Sequence, residues 1–248
     1  VRPKEYVAFS SGSINLFVPM VKKNFNNGTT GITLQNTSAF TATFEARYYD
    51  MSSNQQGQTV VGTIAPYSPY VLYNPSQIPD EFLGSIRVTS TGNPPQHLVG
   101  QMSEARTTGT ITQMTSNLAL GGTTTVHLPV WYDNYTAEGG NWTSGVNVQN
   151  ADASTGSNTI TAILYDLVCN EVLTQTATLS NTYDTHNFFN TSLSNFVGSV
   201  VIQSKNCKDI VAVSNIVNYA AASNADTAMA FNGSNRQPLI ECIPEMID

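Results

Sequence analysis

The sequence predicts an all-β fold, two tandem antiparallel sandwiches followed by a spare terminal strand. Its short segments alternate apolar and polar residues, are rich in β-branched side chains, and are bounded by Gly, Asn, Ser or Pro. Residues 14–105 can be laid over residues 125–218. The opening strand of that repeat then recurs near the end as Leu239-Ile240-Glu241-Cys242-Ile243-Pro244. Two bodies with three copies of one strand point to a repeat architecture that assembles, rather than to a catalytic pocket.

The first body opens on Ile14, Leu16 and Val18, spaced by two so that they share a face. Pro19 closes the run, and Pro129 and Pro244 close its two later copies, because a missing N–H is tolerated at a strand end or edge. Gly31-Ile32-Thr33-Leu34-Gln35 is the next strand, and its counterpart is Gly145-Val146-Asn147-Val148-Gln149. Thr43-Phe44-Glu45-Ala46-Arg47-Tyr48 and Thr159-Ile160-Thr161-Ala162-Ile163-Leu164-Tyr165 continue each body. Tyr49-Asp50 and Tyr165-Asp166 then enter turns that the Asp carboxylates can cap. Phe82-Leu83-Gly84-Ser85 and Phe196-Val197-Gly198-Ser199 open a late strand, each with a core phenylalanine ahead of a close-approach glycine. The join at 107–124 carries Ile111, Met114, Leu118 and Leu120, which a free linker has no use for. It therefore reads as a last strand at 110–115, matched by 227–232, with a short connection through Gly121-Gly122. Only 219–229, rich in Ala, has spacing suited to a helical turn. The resulting divisions are an extension at 1–13, sandwiches at 14–122 and 123–236, and the third strand copy at 237–248.

The chain has 248 residues, enough for two bodies with real cores. It is 40% hydrophobic, as a folded protein should be, but only 11% charged, against roughly 25% in typical soluble domains. Neutral Thr, Ser, Asn and Gln solvate such a surface, and they repel neighbours weakly. The net charge is -7, and Lys22-Lys23 is the one basic pair. Nucleic-acid binding needs clustered Lys and Arg, so it is excluded. No apolar run approaches the ~20 residues of a membrane span. The chain starts at Val1, which fits removal of a leader during export.

Three cysteines are unevenly placed. Cys169 and Cys207 both belong to the second body, where the first has Ser53 and Gly92-Asn93. A pair gained together suggests a disulfide and an oxidising compartment; two separate thiols are the alternative. Cys242, in the third strand copy, is either a small buried residue or a link between chains. Asn27, Asn134, Asn141, Asn190 and Asn232 are candidate glycosylation acceptors if the chain passes through a glycosylating pathway. Asn36 also lies in a sequon, but it ends a strand that should be partly buried.

Nothing in the sequence nominates an enzyme. His97, His127 and His186 have no metal-ligand spacing, and no cofactor or nucleophile motif is present. No metal is expected; Asp133, Glu138, Asp80 and Glu81 read as ordinary polar loops, although their oxygens would suit calcium. Trp131, Tyr132, Tyr135 and Trp142 could be exposed rings for sugar stacking, or could pack inside. Tyr67, Tyr70 and Tyr73, in a Pro-rich ribbon, suggest a contact surface.

The pattern of strand-Pro, Gly-x-x-x-Gln-Asn, Tyr-Asp and Phe-x-Gly-Ser, running over 14–244, resembles the tandem immunoglobulin-like repeats of bacterial cell-surface and extracellular-filament proteins. The resemblance implies an exported protein that makes, coats or links a surface structure. It implies no catalytic residues. The expected function is a structural subunit of an extracellular filament or surface layer, whose partners are copies of itself. Its expected mechanism is strand donation between subunits. The donor and acceptor residues would be Ile14, Leu16 and Val18 at one end and Ile240, Cys242, Ile243 and Pro244 at the other. The tail folding back on the second body, or opening a third body, are the competing fates of 237–248. An adhesin or carbohydrate-binding module that takes surface glycans is the alternative function; a viral or phage surface protein is another.

Overall fold

The computed structural model describes residues 9–73, 75–106, 113–136, 140–189, 192–218 and 228–233. Among them the chain is all-β, with four antiparallel four-stranded sheets and no helix. The first half supplies β1 (Asn15–Lys23), β2 (Gly28–Asn36), β3 (Ala42–Asp50), β4 (Gln55–Ile64), β5 (Pro69–Tyr73), β6 (Phe82–Ser90), β7 (Leu98–Arg106) and β8 (Gln113–Asn117). The second supplies β9 (Thr125–Asp133), β10 (Trp142–Asn150), β11 (Asn158–Tyr165), β12 (Glu171–Leu179), β13 (Thr185–Phe189), β14 (Phe196–Ser204), β15 (Ile210–Asn218) and β16 (Ala228–Asn232). Sheet β1-β6-β3-β4 faces β5-β2-β7-β8, and sheet β9-β14-β11-β12 faces β13-β10-β15-β16. The second sandwich therefore repeats the first strand for strand. β1 and β2 lie in opposite sheets, whereas the first two strands of the immunoglobulin order are neighbours.

Alternation builds each core. Ile32 and Leu34 of β2 pack against Phe44, Ala46 and Tyr48 of β3 and Ile86 and Val88 of β6. Val146 and Val148 of β10 meet Ile160, Ala162 and Leu164 of β11 and Val200 and Ile202 of β14. Asn36 and Asn150 end β2 and β10 and are both fully buried. The Asn36 amide donates to the carbonyls of Phe40, Ile64 and Ala65, and the Asn150 amide donates to Asn181. Each asparagine thus ties a loop to the end of its strand.

The prolines correct one expectation. Pro19 and Pro129 do not close strands; they sit inside β1 and β9, each at a bulge. Val18 pairs with Ile86 and Val21 with Gly84, so Pro19 and Met20 together oppose Ser85. Likewise Leu128 pairs with Val200 and Trp131 with Gly198, so Pro129 and Val130 oppose Ser199. A bulge leaves an N–H outside the ladder, so proline fits there without losing a hydrogen bond. The extra residue also reverses which face later side chains point to. Leu16, Val18 and Val21 therefore face the first core, and Val126, Leu128 and Trp131 face the second.

The turn aspartates act as expected. Asp50 Oδ1 accepts from the amides of Ser52 and Asn54 at 2.8 and 2.9 Å. Asp166 Oδ1 accepts from those of Val168 and Asn170 at 2.9 and 2.8 Å. Partial burial disfavours the Asp50 carboxylate, but the donors of Asn54, Ser52 and Gln56 outweigh it and lower its pKa. The Asn170 donors lower that of Asp166 in the same way. The described part of 219–229 is Ala228 and Met229, which belong to β16; the rest lies outside the described residues, as does most of 1–13 and all of 237–248.

A Cβ added at Gly84 would lie 2.0 Å from the Tyr49 carbonyl oxygen, and one at Gly198 2.0 Å from that of Tyr165. In both places a phenylalanine ring, Phe82 or Phe196, closes the other side at 2.6 Å. Gly84→Ala and Gly198→Ala should each cost roughly 1–3 kcal/mol. Gly121→Ala, with nothing within 4 Å of its Cβ, should cost far less. Urea unfolding of the three variants checks this.

Candidate interaction surfaces

The two sandwiches meet sheet on sheet. The outer face of β1-β6-β3-β4 packs against the outer face of β13-β10-β15-β16, and this places four sheets in one stack. Gln149 donates its side-chain amide to Ser85 Oγ at 3.1 Å, with both side chains fully buried. Asn215 Nδ2 approaches Met20 Sδ at 3.5 Å, and Thr185 Oγ1 approaches Met51 Sδ at 3.2 Å. Phe17, Met20 and Tyr49 on one side and Val211 and Val213 on the other are buried outside their own cores. At the edge of the stack, Ser116 Oγ donates to Asn232 Oδ1 at 2.8 Å, and the Asn232 amide donates to the Asn117 carbonyl.

Tyr183 is the anchor of this joint. It lies between β12 and β13 with φ 65°, in the left-handed region that a short turn demands. That turn carries the ring out of its own sandwich onto the first. Arg87 donates to the Tyr183 hydroxyl, and its guanidinium lies 4.8 Å from the ring centroid. The rings of Tyr49 and Phe17 flank Tyr183 at 5.2 and 6.5 Å. Burial raises the pKa of the Tyr49 phenol, and the neighbouring Tyr183 adds to that. Arg87 also donates to Asn15 Oδ1 at 2.8 Å, which fixes its direction. Gln149 Oε1 and Asn215 Oδ1 find no partner among the described residues. The joint is thus part apolar and part polar, which favours one register over a loose hydrophobic contact.

The expected assembly residues divide. Leu16 and Val18 lie in the first core, on a strand already paired with β6, and Ile14, just before that strand, is exposed. β9 holds the same place beside β14 in the second sandwich. Neither sandwich lacks its opening strand. Ile240, Cys242, Ile243 and Pro244 lie outside the described residues.

The expected Cys169–Cys207 disulfide is not formed. Cys169 follows the Tyr165 end of β11, whereas Cys207 follows Ser204, which pairs with Ile160 at the other end of that strand. Five residues of extended chain separate those ends by about 16 Å, far beyond the roughly 7 Å that a disulfide tolerates between Cα atoms. Both cysteines are exposed, in left-handed turn positions with φ 68° and 54°. Ser53, with φ 66°, is the counterpart of Cys169 in the first body, so the position is a turn requirement that serine meets equally well.

Trp131 is fully buried and cannot stack on a sugar. Tyr132 and Tyr135 stack on each other at 5.1 Å and are half-buried, as is Trp142. Exposed rings lie elsewhere: Phe40 is 71% exposed and Phe189 47%, and Tyr67 and Tyr73 are each 63% exposed, flanking Val71 on the β5 side of the first sandwich. Tyr70 turns inward onto Phe44. Leu167 and Val168 protrude at the tip of the β11–β12 hairpin, 79% and 75% exposed.

Among the described residues no cluster of His, Cys, Asp and Glu could hold a metal ion. Asp133 is buried and accepts from the Leu193 amide at 3.0 Å and from the Asn134 side chain at 3.1 Å. Asp80 takes Asn24 Nδ2 and lies 3.5 Å from Lys23 Nζ. Glu104, buried, pairs with Lys22 at 2.7 Å. Ile216 and Tyr132 stand in place of that ion pair in the second sandwich. Among the sequons, Asn27 is exposed, and Asn36 is buried as expected. Asn141 is half-buried. The acceptor nitrogen of Asn134 is bonded to Asp133 and Leu193, and that of Asn232 to Asn117. Asn190 lies outside the described residues. No helix among them is long and apolar enough to cross a membrane.

No protein-family model and no curated protein matches the chain. Among solved structures, the crystal structure of Thermotoga maritima 1070 is similar at 19% identity, with a TM-score of 0.37, over 44% of this chain and 94% of that one.

Two predictions follow from the geometry of the joint and the sheet. In a double-mutant cycle on Arg87→Ala and Tyr183→Ala, urea unfolding should show a coupling of about 0.5–2 kcal/mol; additive effects would remove Tyr183 from its place on Arg87. Peptide maps of unreduced protein should contain no Cys169–Cys207 linkage, and Cys169 should be alkylated without prior unfolding.

Proposed function

We propose that this protein is a structural subunit of an extracellular filament or surface layer, whose partners are copies of itself. One observation carries the reading: the chain already contains a buried, registered joint between two copies of its own sandwich. A fold that stacks on itself within one chain has the surface chemistry to stack between chains. The low charge supports the same reading, because neutral Thr, Ser, Asn and Gln surfaces pack closely without repulsion. So do the exposed apolar side chains at Val71, Tyr73, Leu167 and Val168. With no Cys169–Cys207 bridge, support for an exported protein rests on composition and on the resemblance to bacterial surface repeats.

Strand donation has a narrower form than the sequence suggests. The first copy of the strand is consumed by its own sandwich, which leaves 239–248 as the donor. β4, β5, β12 and β13 are four of the eight sheet ends, and a donor could extend them. The sugar-binding reading loses Trp131 as its ring.

Negative-stain electron microscopy of the full chain and of a chain lacking 239–248 tests the proposal. Filaments or ordered arrays from the full chain alone support donation by the tail. Arrays from both support assembly through sandwich surfaces. Monodisperse two-lobed particles from both overturn the structural-subunit reading.

A further inference from the structure

The in-chain joint has two sides, and the repeat supplies each side once more, uncovered. One side is the outer face of the β10 sheet, of which Tyr183, Gln149 and Thr185 are the working residues. The matching positions on the first sandwich are Tyr67, Gln35 and Pro69. The registers fix these matches: Gly31 and Gln35 pair with Tyr73 and Pro69, as Gly145 and Gln149 pair with Phe189 and Thr185. The turns agree too. Ser68 donates to the Ala65 carbonyl around Tyr67 at φ 57°, as Asp184 donates to that of Asn181 around Tyr183 at φ 65°. All three first-sandwich residues are exposed.

The other side is the outer face of the β6 sheet, where Ser85, Tyr49 and Met51 receive the second sandwich. Their matches are Ser199, Tyr165 and Leu167, since Tyr49 pairs with Ser85 as Tyr165 pairs with Ser199. Here Ser199 and Tyr165 are half-buried and Leu167 is exposed, whereas Ser85 and Tyr49 are buried.

We propose that a second copy of this chain seats its β5-β2-β7-β8 outer face on the β9-β14-β11-β12 outer face of the first, repeating the in-chain joint between molecules. This rests on the structural-subunit reading and names its contact. Gln35 then meets Ser199, as Gln149 meets Ser85. Tyr67 lies over Tyr165, and Leu167 covers Pro69. Val201 stands where Arg87 does, so the tyrosine contact becomes apolar instead of cation–π. None of the six principal side chains carries a charge, so nothing in the set opposes the approach. The two faces differ, so the contact is heterologous, and each added copy leaves one face of each kind open.

The test uses Tyr67→Glu, which spoils one face, and Leu167→Glu, which spoils the other. Both residues are exposed, and thermal melts matching the wild type confirm folding; Tyr67→Ser and Leu167→Ser replace them if either charge unfolds the chain. Mass is followed by sedimentation across a range of concentrations. The wild type should grow beyond dimers as concentration rises, and each variant alone should need at least tenfold more protein to associate. An equimolar mixture should stop at the dimer, because one intact face remains on each variant and the two are complementary. Variants that associate like the wild type, or a mixture that stays monomeric while the wild type grows, overturn the stacking contact and leave the subunit reading standing on tail donation. A wild type that remains monomeric in sedimentation, and forms no arrays by microscopy, overturns both.

Discussion

Burial on both faces of two central sheets is the constraint on which the rest of this structure depends. An antiparallel sheet ordinarily keeps one face dry and one wet. Here β1 and β15 are buried on both faces over most of their length. Leu16, Val18 and Val21 fill the first core, while Phe17 and Met20 on the opposite face of the same strand fill the joint. Ile210 and Ala212 fill the second core while Val211 and Val213 face the joint. The sandwiches cannot separate without exposing that second apolar surface together with Gln149 and Asn215, whose paired atoms would lose their partners. At roughly 25 cal/mol per Å² of apolar surface, a few such side chains are enough to hold two bodies in one orientation.

The bulge in β1 makes the two-sided burial possible. It shifts the alternation by one residue, so the strand can present Leu16 and Val18 to the core before the bulge and Val21 after it. Met20 is thereby turned to the joint. The same bulge in β9 turns Trp131 inward and leaves Pro129 and His127 exposed. Gly84 and Gly198 stand opposite the end of each bulge, where the neighbouring carbonyl leaves no room for a Cβ. Proline, bulge and glycine are therefore one device used twice. Phe82 and Phe196 close it by folding their rings over the bare glycine.

Much of this fold was legible in the sequence because it is local. Alternation with β-branched residues gave the strands, the Asp side chains marked their turns, and self-similarity located the second body. The join does carry a last strand, but at Gln113–Asn117 against the expected 110–115, of which 110–112 lie outside the described residues. The bulge was not legible, since Pro19 after an apolar run reads the same whether it ends the strand or bends it. The fate of Trp131 went with it: strict alternation from Val126 and Leu128 puts residue 131 on the wet face. The cysteine pair misled for a different reason. Spacing along the chain says nothing about which end of a sheet a turn occupies, and here the two turns are at opposite ends.

The joint was the least legible part, and the repeat explains why. Ser85, Gln149, Asn147 and Asn215 are residues that a solvent-facing strand would also carry, so composition cannot separate a polar interface from a wet surface. The difference lies in comparison of one body with the other. Phe17 and Met20 stand in the joint where His127 and Val130 stand on the free face. Val213 is buried where Gln101 is half-exposed. Phe17 and Val213 are apolar where their free counterparts His127 and Gln101 are polar, and Met20 is longer than Val130, as expected if covering them contributes stability. Gln35 and Gln149, Ser85 and Ser199, Tyr67 and Tyr183, and Tyr49 and Tyr165 are nevertheless identical between covered and free copies. Those four pairs are part of the polar and aromatic framework of the joint, whereas Arg87 and Asn215 give way to Val201 and Ser103 on the open faces. Their presence on open faces means that those faces keep the recognition groups while having a weaker apolar contribution. A contact built that way would be reversible and concentration-dependent between molecules, and permanent only within the chain.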